Sequence, residues 1–168
     1  RVRETLFNWL TPCIAGSRCL DCFAGSGALG LEAASRGAAE VVMIERSRPL
    51  VRVLEANVAD LVGADQNEGL IQVIHADALD WLAKAAPVAF DICFLDPPFG
   101  AGLLGDAAGL LATRAWLAPS ALVYLETARA DGLPSLPAGW TLWRDKNAGQ
   151  VRYALAETSN PASGAETN

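Results

Sequence analysis

Apolar runs alternate along this chain with segments whose apolar residues recur every three to four positions. That alternation is the pattern of βαβ units and a mainly parallel sheet. Residues 3–11 (RETLFNWLT) put Leu6, Phe7 and Leu10 at helical spacing, and Pro12 is expected to stop that helix. Strands are predicted at 18–23 (RCLDCF), 40–45 (EVVMIE), 70–75 (LIQVIH), 90–95 (FDICFL) and 121–126 (ALVYLE). The glycine turn AGSGALG leads into an alanine-rich helix ending near Arg36-Gly37, where glycine suits a C-terminal cap. A helix over 48–62 carries Leu50, Val51, Leu54, Val58, Leu61 and Val62 as its expected buried stripe, and further helices cover 78–85 and 103–113. After Pro134 and Pro137 two strands follow closely, 140–146 and 150–156, joined through Asn147-Ala148-Gly149 as an antiparallel hairpin.

These elements add up to an α/β architecture: a doubly wound, mainly parallel seven-stranded sheet with a C-terminal antiparallel hairpin. We expect residues 1–157 to form a single domain and 158–168 (TSNPASGAETN), which lack apolar content, a disordered tail. At 168 residues, 52% hydrophobic and 19% charged, the chain has material for a sizeable core, which excludes a disordered chain or a charged coiled coil. No apolar run approaches the roughly 18 residues of a membrane helix, and no charged-then-apolar leader marks the chain for secretion. Arg1 in place of Met suggests a trimmed or truncated start.

Cys13, Cys19, Cys22 and Cys93 do not make a disulfide framework. Cys19 and Cys22 form a C-x-x-C, but His75 is the single histidine and no second pair completes a metal site, so buried structural thiols are expected and no metal. The net charge of −6 argues against holding nucleic acid by bulk electrostatics.

In a doubly wound sheet, ligands bind beyond the carboxyl ends of the strands. Gly25-Ser-Gly27-Ala-Leu-Gly30 matches G-x-G-x-x-G between a strand and a helix, and glycines there bring N–H groups close to a ligand. Glu45 follows twenty positions after Gly25, at the end of the second strand, where a carboxylate can accept from both hydroxyls of a ribose. These two features alone fit a dinucleotide as well as any other adenosine cofactor. Asp21 separates the cases, because a carboxylate four residues before Gly25 in D-x-F-A-G-S-G would repel a pyrophosphate. S-adenosylmethionine instead carries an ammonium and a sulfonium. Phe23 belongs to the same stretch. Asp77, in H-A-D-A-L, suits the adenine amino group with the Ala78 N–H nearby, and equally suits the N-cap of the next helix. His75 is expected to pack at its strand end.

Asp96-Pro97-Pro98-Phe99 follows a buried strand directly. Two prolines fix φ twice and remove two N–H donors, leaving carbonyl oxygens turned into the site. Asp96 and the Pro97 carbonyl can accept both hydrogens of an exocyclic NH2, and Pro98 and Phe99 offer surface to a planar group. An amine conjugated to a ring is a poor nucleophile because its lone pair is delocalised. Holding both hydrogens favours pyramidal nitrogen and aims the lone pair at a methyl sulfonium, with positioning and electrostatics supplying most of the rate.

With D-x-F-A-G-S-G, Glu45, Asp77 and D-P-P-F in this order, the chain resembles the Rossmann-like class I S-adenosylmethionine-dependent methyltransferases that modify amino groups. It is most similar to the bacterial 16S ribosomal RNA guanine-N2 methyltransferases of the small subunit. Residues 1–10 (RVRETLFNWL), 20–32 (LDCFAGSGALGLE) and 94–99 (FLDPPF) carry that match, which continues through Tyr124-Leu-Glu126, Gly132-Leu-Pro and Gly149-Gln-Val. The resemblance implies S-adenosyl-L-methionine as cofactor, with Asp21, Gly25 and Gly27 at its methionine end, Glu45 at the ribose and Asp77 at the adenine. Asp96, Pro97 and Phe99 would hold the guanine. Arg3 and Glu4 fall in a segment that would close over the site. The implied substrate is 16S rRNA in assembled small ribosomal subunits, and the implied enzyme a cytoplasmic monomer without a metal.

The family usually begins with a basic, glycine-containing segment before R-V-R-E-T-L-F, which is absent here. That segment is implicated in gripping RNA, so this chain is expected to bind cofactor yet modify its substrate poorly. Loss of a basic arm would be expected to account for part of the −6, and a substrate presented by an assembled ribonucleoprotein for the rest. Three rivals stand beside this reading. A DNA adenine-N6 enzyme with D-P-P-F would usually need a further recognition region. A nicotinamide-dependent oxidoreductase leaves Asp21 and D-P-P-F unexplained. A silent binding module sits poorly with an intact D-P-P-F.

Overall fold

The computed structural model describes residues 1–63, 70–98 and 102–159. In chain order the elements are α1 (Val2–Ile14), β1 (Arg18–Asp21), α2 (Ala28–Ser35), β2 (Glu40–Glu45), α3 (Arg48–Val62), β3 (Ile71–His75), α4 (Ala78–Lys84), β4 (Phe90–Leu95), α5 (Leu103–Thr113), β5 (Leu117–Ala128), β6 (Thr141–Ala148) and β7 (Val151–Glu157). The described strands make one seven-stranded sheet, ordered β3-β2-β1-β4-β5-β7-β6. β1 to β5 pair in parallel, and β7 runs antiparallel between β5 and β6. The expected doubly wound sheet and closing hairpin are therefore both present.

Strands buried on both faces explain the continuous apolar runs. Side chains alternate between two cores. Cys19, Val41, Met43, Ile92, Phe94, Leu122 and Tyr124 pack on one face with Leu6, Phe7 and Leu10 of α1, Ala33 of α2 and Leu54 of α3. Leu20, Val42, Ile44, Cys93, Leu95 and Val123 pack on the other with Leu82 of α4 and Leu104, Ala108 and Leu111 of α5. Trp116 is fully buried in this second core, and its Nε1 donates to the Leu82 carbonyl at 3.0 Å. Each fully buried large apolar side chain contributes about 1.5–3 kcal/mol.

Several expectations are corrected. Pro12 lies inside α1 and does not end it. A proline this near the C-terminus removes only one backbone donor, and buried Ile14 anchors the final turn beyond it. In α3 only Val51 and Leu54 of the expected stripe are buried, while Leu50 and Leu61 are exposed. β3 beneath it is an edge strand with no fully buried residue, so α3 has little sheet to cover. β1 ends at Asp21, two residues early, because the chain turns there to form the loop before α2. β5 begins at Leu117, which pairs with Phe90 before the register jumps to Ile92 opposite Leu122. The intervening residues bulge, with Ser120 at φ 57°. The β6–β7 turn is tighter than expected, since Ala148 pairs with Val151 around Gly149-Gln150.

Thr158 is packed, although it opens the expected tail. Its Oγ1 accepts from the Ala121 amide at 3.0 Å, and its own amide donates to the Ala121 carbonyl at 2.9 Å. Residues 160–168 of that tail lie outside the described residues. Cys19, Cys22 and Cys93 are buried free thiols, and burial raises the pKa of each; Cys13 is exposed.

Candidate active site

The loops beyond the carboxyl ends of β1 to β5 enclose a cavity of about 860 Å³. Phe23 and Gly25 come from the loop after β1, Glu45 from the end of β2, and Asp77 and Ala78 from the start of α4. Asp96, Pro97 and Pro98 follow β4. The structure thus brings together most of the residues predicted from sequence. Phe99 lies outside the described residues. Arg3 and Glu4 are exposed on α1 and are not among the residues lining this cavity.

Asp21 and Gly27 stand just behind the wall. Asp21 is 1% exposed: Oδ2 accepts from the Gly30 amide at 3.2 Å, and Oδ1 has no hydrogen-bond partner. Burial, with the charge of Glu45 adding to it, pushes its pKa up to about 7 against the pull of the backbone N–H groups. Gly27, at φ 96°, caps α2 in a left-handed conformation, and a Cβ there would lie 2.4 Å from Leu54 Cδ1. Gly25 also has positive φ (58°), but open space surrounds the position of its missing Cβ, so a ligand can approach the backbone. Gly30 has a packing role: a Cβ would meet Met43 Sδ at 2.4 Å where α2 crosses β2.

Glu45 is 9% exposed and fastens two loops, accepting from the Gly25 amide at 3.0 Å and the Ser47 amide at 2.7 Å. Asp77 is the N-cap of α4, with Oδ1 accepting from the Asp80 amide at 3.0 Å, and its place on the cavity wall is compatible with a second role. His75 is exposed, with Nε2 3.0 Å from the Arg46 carbonyl oxygen.

One site residue escaped the sequence reasoning. Leu95 pairs with Leu125, so the next residues of the two parallel strands, Asp96 and Glu126, emerge side by side on one face. Burial, then hydrogen bonding and charge from Glu126, push the Asp96 carboxyl up to about 8. The Tyr124 hydroxyl donates to Glu126 Oε1 at 2.5 Å. The sequence placed Glu126 at the carboxyl end of a predicted strand, but that this strand lies beside D-P-P comes only from its pairing with β4.

Among the described residues, four carboxyl groups (Glu45, Asp77, Asp96 and Glu126) line the cavity with one cationic side chain, Arg46. Asp21 adds an unpaired buried oxygen behind the glycine turn. Such a set suits a ligand that brings hydroxyls, amino hydrogens and positive charge, and it opposes a pyrophosphate. An adenosine cofactor with a cationic amino-acid end fits these residues. Among the described residues no cluster could hold a metal ion, and no helix is long and apolar enough to cross a membrane.

Residues 1–157 match the protein family described as "Conserved hypothetical protein 95". The ribosomal RNA small subunit methyltransferase D of Escherichia coli (strain K12) is 50% identical over 156 residues, covering 92% of this chain and 75% of that protein. The protein of the same name from Haemophilus influenzae is 43% identical, covering 92% and 79%. Among solved structures, yhhF from Escherichia coli superimposes with TM-score 0.87 at 48% identity, covering 95% of this chain and 86% of its own. The fold is the Rossmann-like fold of the class I methyltransferases, and the chain belongs to the ribosomal RNA small subunit methyltransferase D family.

Proposed function

We propose that this protein transfers a methyl group from S-adenosyl-L-methionine to the exocyclic N2 amine of a guanine in 16S rRNA, with assembled small subunits as the substrate. It would work as a cytoplasmic monomer, with residues 1–157 as one domain. The observation that carries the reading is the turn Asp96-Pro97-Pro98. It separates the carboxylate-lined cavity from a second cavity of about 360 Å³, and Pro97 and Pro98 line both.

Bound S-adenosylmethionine would supply a methyl group on a cationic sulfur, which the amine's lone pair takes as the C–S bond breaks and sulfur keeps the electron pair. Glu45, with one lone pair on each oxygen still available after its two backbone bonds, would accept from the ribose hydroxyls. Asp77 and the Ala78 N–H would read the adenine. Asp21 and the turn of Gly25 and Gly27 would hold the amino-acid end, with Phe23 along the wall. Asp96 and the Pro97 carbonyl would accept both N2 hydrogens and keep the nitrogen pyramidal, while Pro98 and Phe99 would support the base. The adjoining carboxyl groups of Asp96 and Glu126 would take the proton that N2 sheds.

The test is methyl transfer from labelled cofactor into unmodified small subunits, naked 16S rRNA and duplex DNA, with Asp96→Ala alongside. Label at guanine N2 that depends on Asp96 is expected. Label confined to DNA adenine would overturn the reading.

A further inference from the structure

Resting on that reading, we propose that Glu126 selects guanine, by accepting the N1–H of the target base beside the Asp96 that accepts from N2. The placement follows from the sheet. β4 and β5 are parallel neighbours in register at Leu95 and Leu125, so Asp96 and Glu126 leave the sheet together. Tyr124, two residues before Glu126 on the same face, fixes its carboxylate with the 2.5 Å hydroxyl bond. Glu126 also lines both cavities, as do Pro97, Pro98 and Leu103. A base entering from the second cavity, bounded by Gly105 and Asp131, therefore meets Glu126 on its way to the methyl donor.

The chemistry of the two purines then decides. Guanine presents N1–H and the N2 amino group side by side, a row of donors. Adenine presents its amino group beside an N1 lone pair. Once the proton that Asp96 holds beside Glu126 is released as the base enters, the two adjacent carboxylates and a proline carbonyl form a row of acceptors, which guanine satisfies and against which the adenine lone pair is repelled. The crowding of Asp96 and Glu126 is itself relieved when donors enter between or beside them. A site built to accept from an N–H discriminates strongly against an analogue that lacks it, because a buried acceptor is left unpaired.

The decisive substrate pair is guanine and 2-aminopurine. Both carry the C2 amine, but N1 is a donor in the first and an acceptor in the second. Small subunits reconstituted with 16S rRNA bearing either base at the modified position would be methylated by wild type, Glu126→Gln and Tyr124→Phe. Wild type is expected to prefer guanine in kcat/KM on the order of 10- to 100-fold. Glu126→Gln, whose amide can donate to N1, is expected to shrink that ratio at least fivefold, and Tyr124→Phe to shrink it less. Wild type that methylates both bases equally would overturn the inference. So would variants that lose activity on both bases in proportion, the outcome of a purely structural role. If Glu126→Gln fails to fold, the Tyr124→Phe ratio decides alone. Failure of wild type to label N2 in the guanine substrate would instead sink the proposed function, so the two failures are separable.

Discussion

The amide of Gly25 donates to Glu45 Oε1 at 3.0 Å, which ties the turn after β1 to the carboxyl end of β2. The second oxygen takes the Ser47 amide, so a single side chain sets the spacing of two cavity walls. Glu45→Ala removes both ties and the proposed ribose acceptor. Each charge-assisted hydrogen bond contributes about 1.5–3 kcal/mol, so cofactor affinity should fall on the order of 10- to 100-fold. Glu45→Gln keeps one amide acceptor and should lose less. Calorimetric titration with S-adenosylhomocysteine checks this, and an unchanged Kd in Glu45→Ala would remove the ribose role.

Asp96 should matter for the transfer step and little for cofactor binding. Asp96→Ala is expected to lower kcat about 10²- to 10³-fold, the cost of losing one preorganised electrostatic group. Its Kd for S-adenosylhomocysteine should stay within about threefold of wild type on the same basis, since the proposed contact is to the acceptor base. Single-turnover transfer and titration together make the comparison, and parallel losses in both would place Asp96 on the cofactor instead.

The same carboxyl makes stability depend on pH. Burial, then Glu126, raise Asp96 to about 8, and burial raises Asp21 to about 7. An acid with a raised folded-state pKa keeps its proton where the unfolded chain, with a pKa near 4, has released it. Its stabilising contribution is full below about pH 4 and is lost as pH rises through the folded-state value, by at most about 1.4 kcal/mol per pH unit for each group. Wild type should therefore melt at lower temperature at pH 8 than at pH 5.5. Asp96→Asn should show a shallower slope over that range, and equal slopes in thermal melts would contradict the assignment.

Gly30 completes the glycine motif but serves packing. Gly30→Ala forces a methyl group against the fully buried Met43, whose Sδ and Cγ would lie 2.4 and 2.7 Å away. A cost of about 1–3 kcal/mol is expected from overpacking, with cofactor affinity unchanged. Met43→Ala should recover part of the loss in the double variant. A Gly30→Ala protein that melts like wild type but binds cofactor weakly would reverse this assignment.

The strands buried on both faces were the most legible part of the sequence. β2 and β4 fall on residues 40–45 and 90–95 as read, because a strand covered on both sides is apolar over most of its length, here all but Glu40, Glu45 and the exposed Asp91. Where tertiary context overrides local pattern, the reading failed. Leu50 looks like core by spacing but faces the cavity, and the strand expected to start at residue 121 starts at Leu117, with Ala118-Pro119-Ser120 bulging within it. The site was legible wherever its chemistry is local, as in D-P-P and the glycine turn. Glu126 was missed because its meaning comes from the neighbouring strand, and only the register of β4 against β5 supplies it.

The place of β7 between β5 and β6 has a consequence for synthesis. The residues lining the proposed cofactor cavity end at Glu126, so every wall of that cavity leaves the ribosome before β7 does. Until Val151–Glu157 emerge, β5 has no partner on its far side, and its row of unpaired N–H and C=O groups is open to pairing with another chain. Buried Tyr153, Ala154, Leu155 and Ala156 close that edge last. A nascent chain stalled in β6 would thus carry the described residues that line the cavity on a sheet whose β5 edge is unpaired, a template for pairing with another chain.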